Sequence, residues 1–218
     1  MRVGIFDSGM GGLKALDYFK SLAPLEDAIL YRDEANAPYG TKTESQLIRL
    51  VSDDIDRLTL LGAKKILMAC CTASAVWDKL SPQRRKIAIP IIEPTSRAAI
   101  KVAGGKPIGV ISTEATERME AFPRAIRSLS YTAEVIPLSS RILVSLAEAG
   151  VSDENMSAAA EEETLRIRRH FEGKGIGALI LGCTHFSYFR REIEGALGVK
   201  AVDSAEVGAM ELANALRA

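Results

Sequence analysis

Two patterns of hydrophobic and polar positions alternate along the chain. Short apolar runs rich in Val, Ile and Leu have the length and character of strands buried on both faces of a sheet. These predicted strands cover 2–6, 28–32, 65–69, 89–92, 107–111, 134–137, 178–181 and 200–202. Longer amphipathic runs separate them and predict helices, which cover 13–22, 43–61, 95–102, 114–128, 141–149, 156–171, 188–197 and 204–217. Such alternation is typical of an α/β fold with mainly parallel sheets.

The two halves of the chain repeat one another. The stretch RVGIFDS at 2–8 aligns with PIGVIST at 107–113, and GAKKILMAC at 62–70 aligns with GIGALILGC at 175–183. In the second pair, a glycine is followed eight positions later by a cysteine at the end of an apolar strand. A glycine-containing break at 103–106 separates the copies. The sequence therefore predicts two copies of one α/β unit.

The two aligned cysteines, Cys70 and Cys183, are the strongest candidates for chemistry. Ligands of open α/β sheets bind beyond the carboxyl ends of the strands, so two facing domains would present both thiols to one cleft. Moving a proton from one face of a tetrahedral carbon to the other needs a base and an acid on opposite sides. Asp7, which ends the first strand, is the expected titratable partner of Cys70, and His185 that of Cys183.

Composition narrows the class of partner. The 218 residues are 47% hydrophobic and 26% charged, which suffices for one large or two small domains. Because 28 basic residues balance 28 acidic ones, no basic field exists to hold a nucleic acid or an anionic membrane. No apolar run approaches the roughly 20 residues of a membrane span, and no signal-peptide pattern opens the chain. We expect a cytoplasmic protein with reduced thiols and a small-molecule partner.

Other interpretations of the cysteines remain open at this stage. A buried cysteine at the end of a strand is often only a small apolar residue. Together with Cys71 and His185, the two aligned cysteines could also form a soft zinc site. Against zinc, adjacent residues on a strand point to opposite faces, and the usual paired spacings of ligating cysteines are missing.

The first loop allows a second alternative. GMGG follows the first strand, and Asp33 ends the second, an arrangement that invites a dinucleotide-binding interpretation. Lys14 argues against it, since it occupies the position of the last glycine in that motif. From sequence alone, Asp33 and Glu148 could be ordinary surface or capping carboxylates, and Tyr39 could be packing within a PYG turn.

Seven motifs in order give the chain a resemblance that runs from end to end. The motifs are GIFDSGMGGL (4–13), DEANAPYG (33–40), ACCTASA (69–75), IEP (92–94), GVISTEAT (109–116), LGCTHF (181–186) and VDSAE (202–206). With them the chain resembles the glutamate racemases of the cofactor-independent aspartate/glutamate racemase superfamily. The resemblance implies that Cys70 and Cys183 are the catalytic acid and base, assisted by Asp7 and His185. It also implies a set of substrate contacts, namely Ser8, Tyr39, Gly40, Cys71, Thr72, Thr116, Thr184 and Glu148.

The resemblance carries further expectations. It implies two pseudo-symmetric α/β domains, one of residues 1–97 plus 204–218 and one of 98–203, with the active site in the cleft between them. It implies racemisation of L- and D-glutamate by two-base proton transfer at Cα without cofactor or metal, supplying D-glutamate for peptidoglycan. Cys71 stands where most glutamate racemases have Asn. Aspartate or another amino acid therefore stays open as the substrate. A noncatalytic binding or regulatory paralogue also stays open as the function, and a homodimer as the assembly.

Overall fold

Eight parallel strands form two four-stranded sheets in the computed structural model, which describes residues 1–150 and 154–217. All eight predicted strands are confirmed, with ends shifted by one or two residues. Their bounds are β1 Arg2–Asp7, β2 Asp27–Arg32, β3 Lys65–Met68, β4 Ala88–Pro90, β5 Ile108–Ser112, β6 Val135–Ser139, β7 Ala178–Gly182 and β8 Ala201–Asp203. The first sheet has the order β2-β1-β3-β4 and the second the order β6-β5-β7-β8.

Helices connect the strands. Within the described ranges they are α1 Gly11–Leu22, α2 Glu44–Leu60, α3 Cys71–Ser74, α4 Pro82–Ile87, α5 Ile92–Ala103, α6 Glu114–Arg118, α7 Ala121–Leu129, α8 Ile142–Ala149, α9 Glu154–Phe171, α10 Arg190–Leu197 and α11 Ser204–Ala215. The single helix predicted over 114–128 is wrong. Glu120 adopts a left-handed conformation with φ of 48°, and this breaks the stretch into α6 and α7. The short helices α3 and α4 were not predicted.

The two sheets have the same internal order, which confirms the repeat found in the sequence. In each, the first strand of the copy lies between the second and third, and all pairings are parallel. Cys70 follows β3, and Cys183 follows β7, so the two cysteines occupy equivalent positions. Parallel strands place their carboxyl ends on the same edge, which puts both cysteines at ligand-binding edges.

One apolar cluster joins the two sheets. It contains Ile5 and Leu67 from the first sheet, Ile108 and Ile180 from the second, and Ala209 from α11. Helix α11 packs on α1, β3 and β4, while α5 packs on α7 and β7. The predicted domain boundary between 97 and 98 falls inside the continuous helix α5, and the division into domains stays a prediction.

None of the helices described is both long and apolar enough to cross a membrane.

The packing of α11 predicts opposite effects for one substitution at two glycines. A Cβ on Gly208 would lie 2.5 Å from Ile91 Cγ2, whereas a Cβ on Gly195, in the exposed part of α10, would meet nothing within 4 Å. Because the core around Gly208 must shift, we expect Gly208→Ala to lower the free energy of unfolding by ~1–3 kcal/mol.

Gly195→Ala is the matched control. It adds a better helix former to open space, so it should raise the free energy of unfolding by ~0.5–1 kcal/mol. Urea unfolding followed by circular dichroism measures both changes. Equal effects of the two substitutions would contradict the close packing of α11 between the sheets.

Candidate active site

A cavity of about 460 Å³ lies where the carboxyl ends of the two sheets face each other. This volume falls within the range of small-molecule sites. Both halves of the chain contribute to it through loops that follow their strands. Its wall is formed by Ser8, Ala37, Pro38, Tyr39, Gly40, Thr41, Cys70, Thr72, Thr113, Glu114, Ser140, Arg141, Val144, Ser145, Glu148, Cys183 and His185. The two aligned cysteines therefore face one cavity, as the repeat predicts.

The thiol of Cys70 is buried in surroundings that favour its protonated form. It precedes α3 and lies with its Sγ 3.6 Å from Ser8 Oγ. Burial raises the pKa of the Cys70 thiol to about 12, and the negative charges of Asp7 and Cys183 add to the rise. Cys70 therefore holds its proton at neutral pH.

Cys183 has a different neighbour. Its Sγ lies 3.4 Å from Nδ1 of His185, and the other ring nitrogen contacts Oε1 of Glu148. Burial lowers the pKa of His185, but Cys183 and Glu148 outweigh burial and raise it to about 11. The hydrogen bond from His185 lowers the pKa of Glu148 in return. This arrangement is an imidazolium placed between the sulfur of Cys183 and the carboxylate of Glu148.

Asp7 is placed differently from the sequence expectation of a direct partner for Cys70. Its carboxylate accepts hydrogen bonds from Gly9 N–H and Thr184 Oγ1, each at 2.8 Å. Burial raises the pKa of Asp7, opposed by the charge of His185. The hydrogen-bond partner of Cys70 is Ser8, so Asp7 acts on Cys70 through its charge, and it fixes Thr184 in the second half.

The glycines of the first loop allow the second half to approach closely. A Cβ on Gly9 would lie 1.9 Å from Glu148 Oε1, and one on Gly11 would lie 2.1 Å from Thr184 Oγ1. The backbone N–H of Met10 donates to Glu148 at 3.0 Å. The loop that suggested dinucleotide binding is thus covered by side chains of the second half. Its glycines serve this contact between the halves.

Three threonine hydroxyls form a closed ring beside the cavity. Thr72 Oγ1 lies 2.9 Å from that of Thr113 and 3.0 Å from that of Thr116, and the last two are 2.9 Å apart. Thr72 belongs to the first half and the other two to the second. Sequence analysis did not select Thr113. Its position could have indicated it, because Thr113 follows β5 and caps α6 with its side chain, as threonine often does at the start of a helix.

Cys71 lies away from the cavity. Its S–H donates to Ser204 Oγ at 3.3 Å, and Ser204 donates to the carbonyl of Leu181 at 2.7 Å. The thiols of Cys70 and Cys71 thus point apart, and all three cysteines of the chain are free. Among the residues that the structure describes, no group of three or more His, Cys, Asp or Glu side chains is arranged to hold a metal ion.

The other expected substrate contacts are divided by their position. Ser8, Tyr39, Gly40, Thr72 and Glu148 line the cavity. Thr116 lies one hydrogen bond behind the wall, because it is bonded to Thr72 and Thr113. Thr184 lies outside the lining and donates to Asp7, which does not line the cavity either.

A wall of the cavity was missed by sequence reasoning. It comprises Glu114 and the residues after β6, with Arg141 bonded to Glu114 at 2.6 Å. The rule that ligands bind at strand ends points to the segment after β6, but no motif marks it.

The expectation that Asp33 could be a surface carboxylate is corrected by the structure. Asp33 is only 4% exposed and does not lie at the surface.

Comparisons with known proteins agree with this geometry. Residues 17–212 match the family described as Asp/Glu/Hydantoin racemase. A glutamate racemase of Geobacter metallireducens is 36% identical over 220 residues, which cover 99% of this chain and 80% of that protein. The crystal structure of glutamate racemase from Francisella tularensis in complex with D-glutamate superposes with a TM-score of 0.87 at 32% identity, covering 99% of this chain and 81% of that one.

Isoform RacE1 of glutamate racemase from Bacillus anthracis gives a TM-score of 0.86 at 29% identity, with 99% of this chain and 81% of that chain covered. Family match, relatives and fold thus agree over nearly the whole sequence. The chain belongs to the Asp/Glu/Hydantoin racemase family, stands within it among the glutamate racemases, and is an amino-acid racemase.

Proposed function

We propose that this protein interconverts L- and D-glutamate by proton transfer between Cα and two cysteines. The observation that carries the proposal is the pair of free, buried thiols, Cys70 and Cys183, which line one cavity at equivalent strand ends of the two sheets. Glutamate is supported as substrate by the glutamate racemases to which the chain is similar. We further propose that the D-glutamate formed supplies peptidoglycan synthesis.

The unequal surroundings of the two thiols support different roles for them. We propose that Cys183, beside the imidazolium of His185, acts as the base that removes the Cα proton. The electron pair left on Cα is delocalised into the adjacent carboxylate, and the protonated Cys70 then delivers its proton to the opposite face. The carbon is inverted, with Cys183 now the thiol and Cys70 the thiolate. The reverse reaction uses the thiols in exchanged roles.

The cavity offers donors and balanced charge to a zwitterion. Its lining includes two positively charged side chains, Arg141 and His185, and two negatively charged ones, Glu114 and Glu148. Thr72 and Thr113, the ring members that line the cavity, can turn their hydroxyl hydrogens toward a carboxylate, because a hydroxyl hydrogen rotates freely and the Thr116 N–H needs only an acceptor on Thr113. We propose that the ring and Ser8 bind carboxylate oxygen atoms of the substrate.

Isotope incorporation tests the two-base step. With a single glutamate enantiomer in deuterated water, we expect early product to carry deuterium at Cα while recovered substrate keeps protium, because the proton delivered comes from the opposite thiol. Cys70→Ala and Cys183→Ala should each lower the rate of racemisation by ~10²–10⁴-fold, as expected for loss of a general acid or base. Optical rotation and proton NMR measure both quantities, with aspartate enantiomers run in parallel.

Cys71→Ala is the matched cysteine control. Its thiol bonds Ser204 outside the cavity, so this variant should retain most of the activity. Deuterium appearing equally in substrate and product, or full activity in either of the other two alanine variants, would refute the two-cysteine assignment. Faster exchange with aspartate than with glutamate would reassign the substrate.

The contact between Glu148 and His185 predicts a shift in the pH profile. Glu148 helps raise the pKa of His185, so Glu148→Gln lowers this pKa and His185 loses its proton at lower pH. We expect the alkaline fall of kcat to move to lower pH by ~1–3 units, which is the effect of removing a close opposite charge. Rates are measured from pH 6 to pH 10, where the wild-type kcat should stay level because the pKa of His185 is about 11, and where the kcat of Glu148→Gln should fall.

Glu172→Gln provides the control for loss of a carboxylate, because Glu172 is exposed after α9. It should leave the profile in place. An unchanged alkaline limb in Glu148→Gln would show that the carboxylate does not support the His185 proton.

A further inference from the structure

A buried group of one tyrosine and two aspartates lies behind the cavity wall. The Tyr39 hydroxyl is 2.7 Å from Oδ2 of Asp33 and 2.7 Å from Oδ2 of Asp54. Their exposed fractions are 1% for Tyr39 and 4% for each aspartate. Asp33 follows β2, Tyr39 lies six residues further along the same connecting segment, and Asp54 lies in α2. The motif at 33–40 contains Asp33 and Tyr39, but nothing in the local sequence marks Asp54 as their partner.

Proton counting defines the state of the group. A phenol has one proton and can donate to one carboxylate only, so two ionised aspartates would leave an unscreened contact between two oxygen atoms. Both carboxylate oxygen atoms of Asp33 already accept an N–H contact from Asn36 Nδ2, each at 3.0 Å, so Asp33 serves as the acceptor in this group. The additional proton therefore belongs on Asp54. The resulting chain runs from Asp54 O–H to Tyr39 and from Tyr39 O–H to Asp33.

The cluster holds a continuous stretch of the substrate cavity. Residues 37–41 all line the cavity, and Tyr39 is their buried anchor. A Cβ on Gly40 would lie 3.1 Å from Thr113 Cβ, so this stretch also abuts the second half. Movement of Tyr39 would displace the wall next to the threonine ring. We propose that one proton shared by Asp33, Tyr39 and Asp54 positions residues 37–41 for substrate binding, and that losing this proton weakens binding.

The charges around Asp33, Tyr39 and Asp54 are consistent with the loss of one proton from this group near neutral pH. Burial raises the pKa of Asp54 to about 7, with the charges of Asp33 and Asp53 adding to the rise and Tyr39 and Arg57 opposing it. Tyr31 on β2 also faces the group, and its pKa is raised by burial and then by the two aspartates, so it stays neutral. Burial and the aspartates likewise raise the pKa of Tyr39.

The direction of the pH effect follows from these shifts. Asp54 binds its proton more tightly in the folded protein than in the unfolded chain, so the positioned state is present below about pH 7 and is lost above it. If only the protonated form binds substrate, the KM for glutamate should rise about tenfold between pH 6 and pH 8, in proportion to the falling competent fraction. The kcat should change much less over the same range.

Asp54→Asn is the decisive variant. An amide can donate N–H to Tyr39 at any pH, so KM should remain low and flat from pH 6 to pH 8. Asp53→Asn is the matched control, since it removes the same charge from the neighbouring, exposed position of α2 and should keep the rise. A flat KM in the wild-type protein, or a rise that persists in Asp54→Asn, would overturn the proposal.

Two readouts do not depend on the proposed glutamate activity, on which the KM experiment rests. The infrared carbonyl band of a protonated carboxylic acid should disappear in the wild-type protein between pH 6 and pH 8 and be missing in Asp54→Asn. At pH 8, backbone amides of residues 37–41 should exchange at least severalfold faster in the wild-type protein than in Asp54→Asn. Absence of the band and equal exchange would refute the shared proton even if the protein racemises glutamate. Their presence without racemisation would refute only the activity.

Discussion

Contacts of the end of β1 and the loop after it with α8 and with the segment after β7 set the distance between the two halves of the site. Asp7 accepts a hydrogen bond from Thr184, and Met10 N–H donates to Glu148, while glycines at 9 and 11 remove the side chains that would hold these groups apart. Both contacts are polar and short, so they define geometry more sharply than apolar packing does. The thiols of the two halves can face one small cavity because these contacts fix the cleft.

Pseudo-symmetry gives the two cysteines equivalent backbone positions but unequal chemistry. Cys70 has a serine hydroxyl and the charge of Asp7, whereas Cys183 has an imidazolium backed by Glu148. Proton transfer through a carbon needs one donor and one acceptor at the same moment. The repeat supplies the equivalent placement of the two thiols, and the copies differ in the charged and hydroxyl groups that surround them.

The sequence was informative where the signal is local or repeated. Buried parallel strands read as continuous apolar runs, so all eight were found, and the glycine-to-cysteine spacing located both thiols. Contacts between distant segments were not accessible. Asp54 is brought to Tyr39 only by the docking of α2 on the sheet, and Thr113 reaches Thr72 only across the cleft. The break at Glu120 depends on one left-handed residue in an otherwise helical pattern.

The candidate site also shows this difference between local sequence signals and contacts of distant segments. The family resemblance selected Cys71 as a substrate contact, but the turn into α3 directs its thiol to Ser204, at the start of α11. That side-chain direction depends on how the last helix packs, which no motif near Cys71 encodes.

The return of α11 to the first sheet has a consequence for synthesis on the ribosome. The first half of the chain leaves the ribosome before the helix that covers β3 and β4 has been made. Until residues 204–215 emerge, part of the apolar cluster shared by the two sheets stays open to solvent and to other nascent chains. The late synthesis of a single helix thus leaves the first sheet incompletely covered until residues 204–215 have been made.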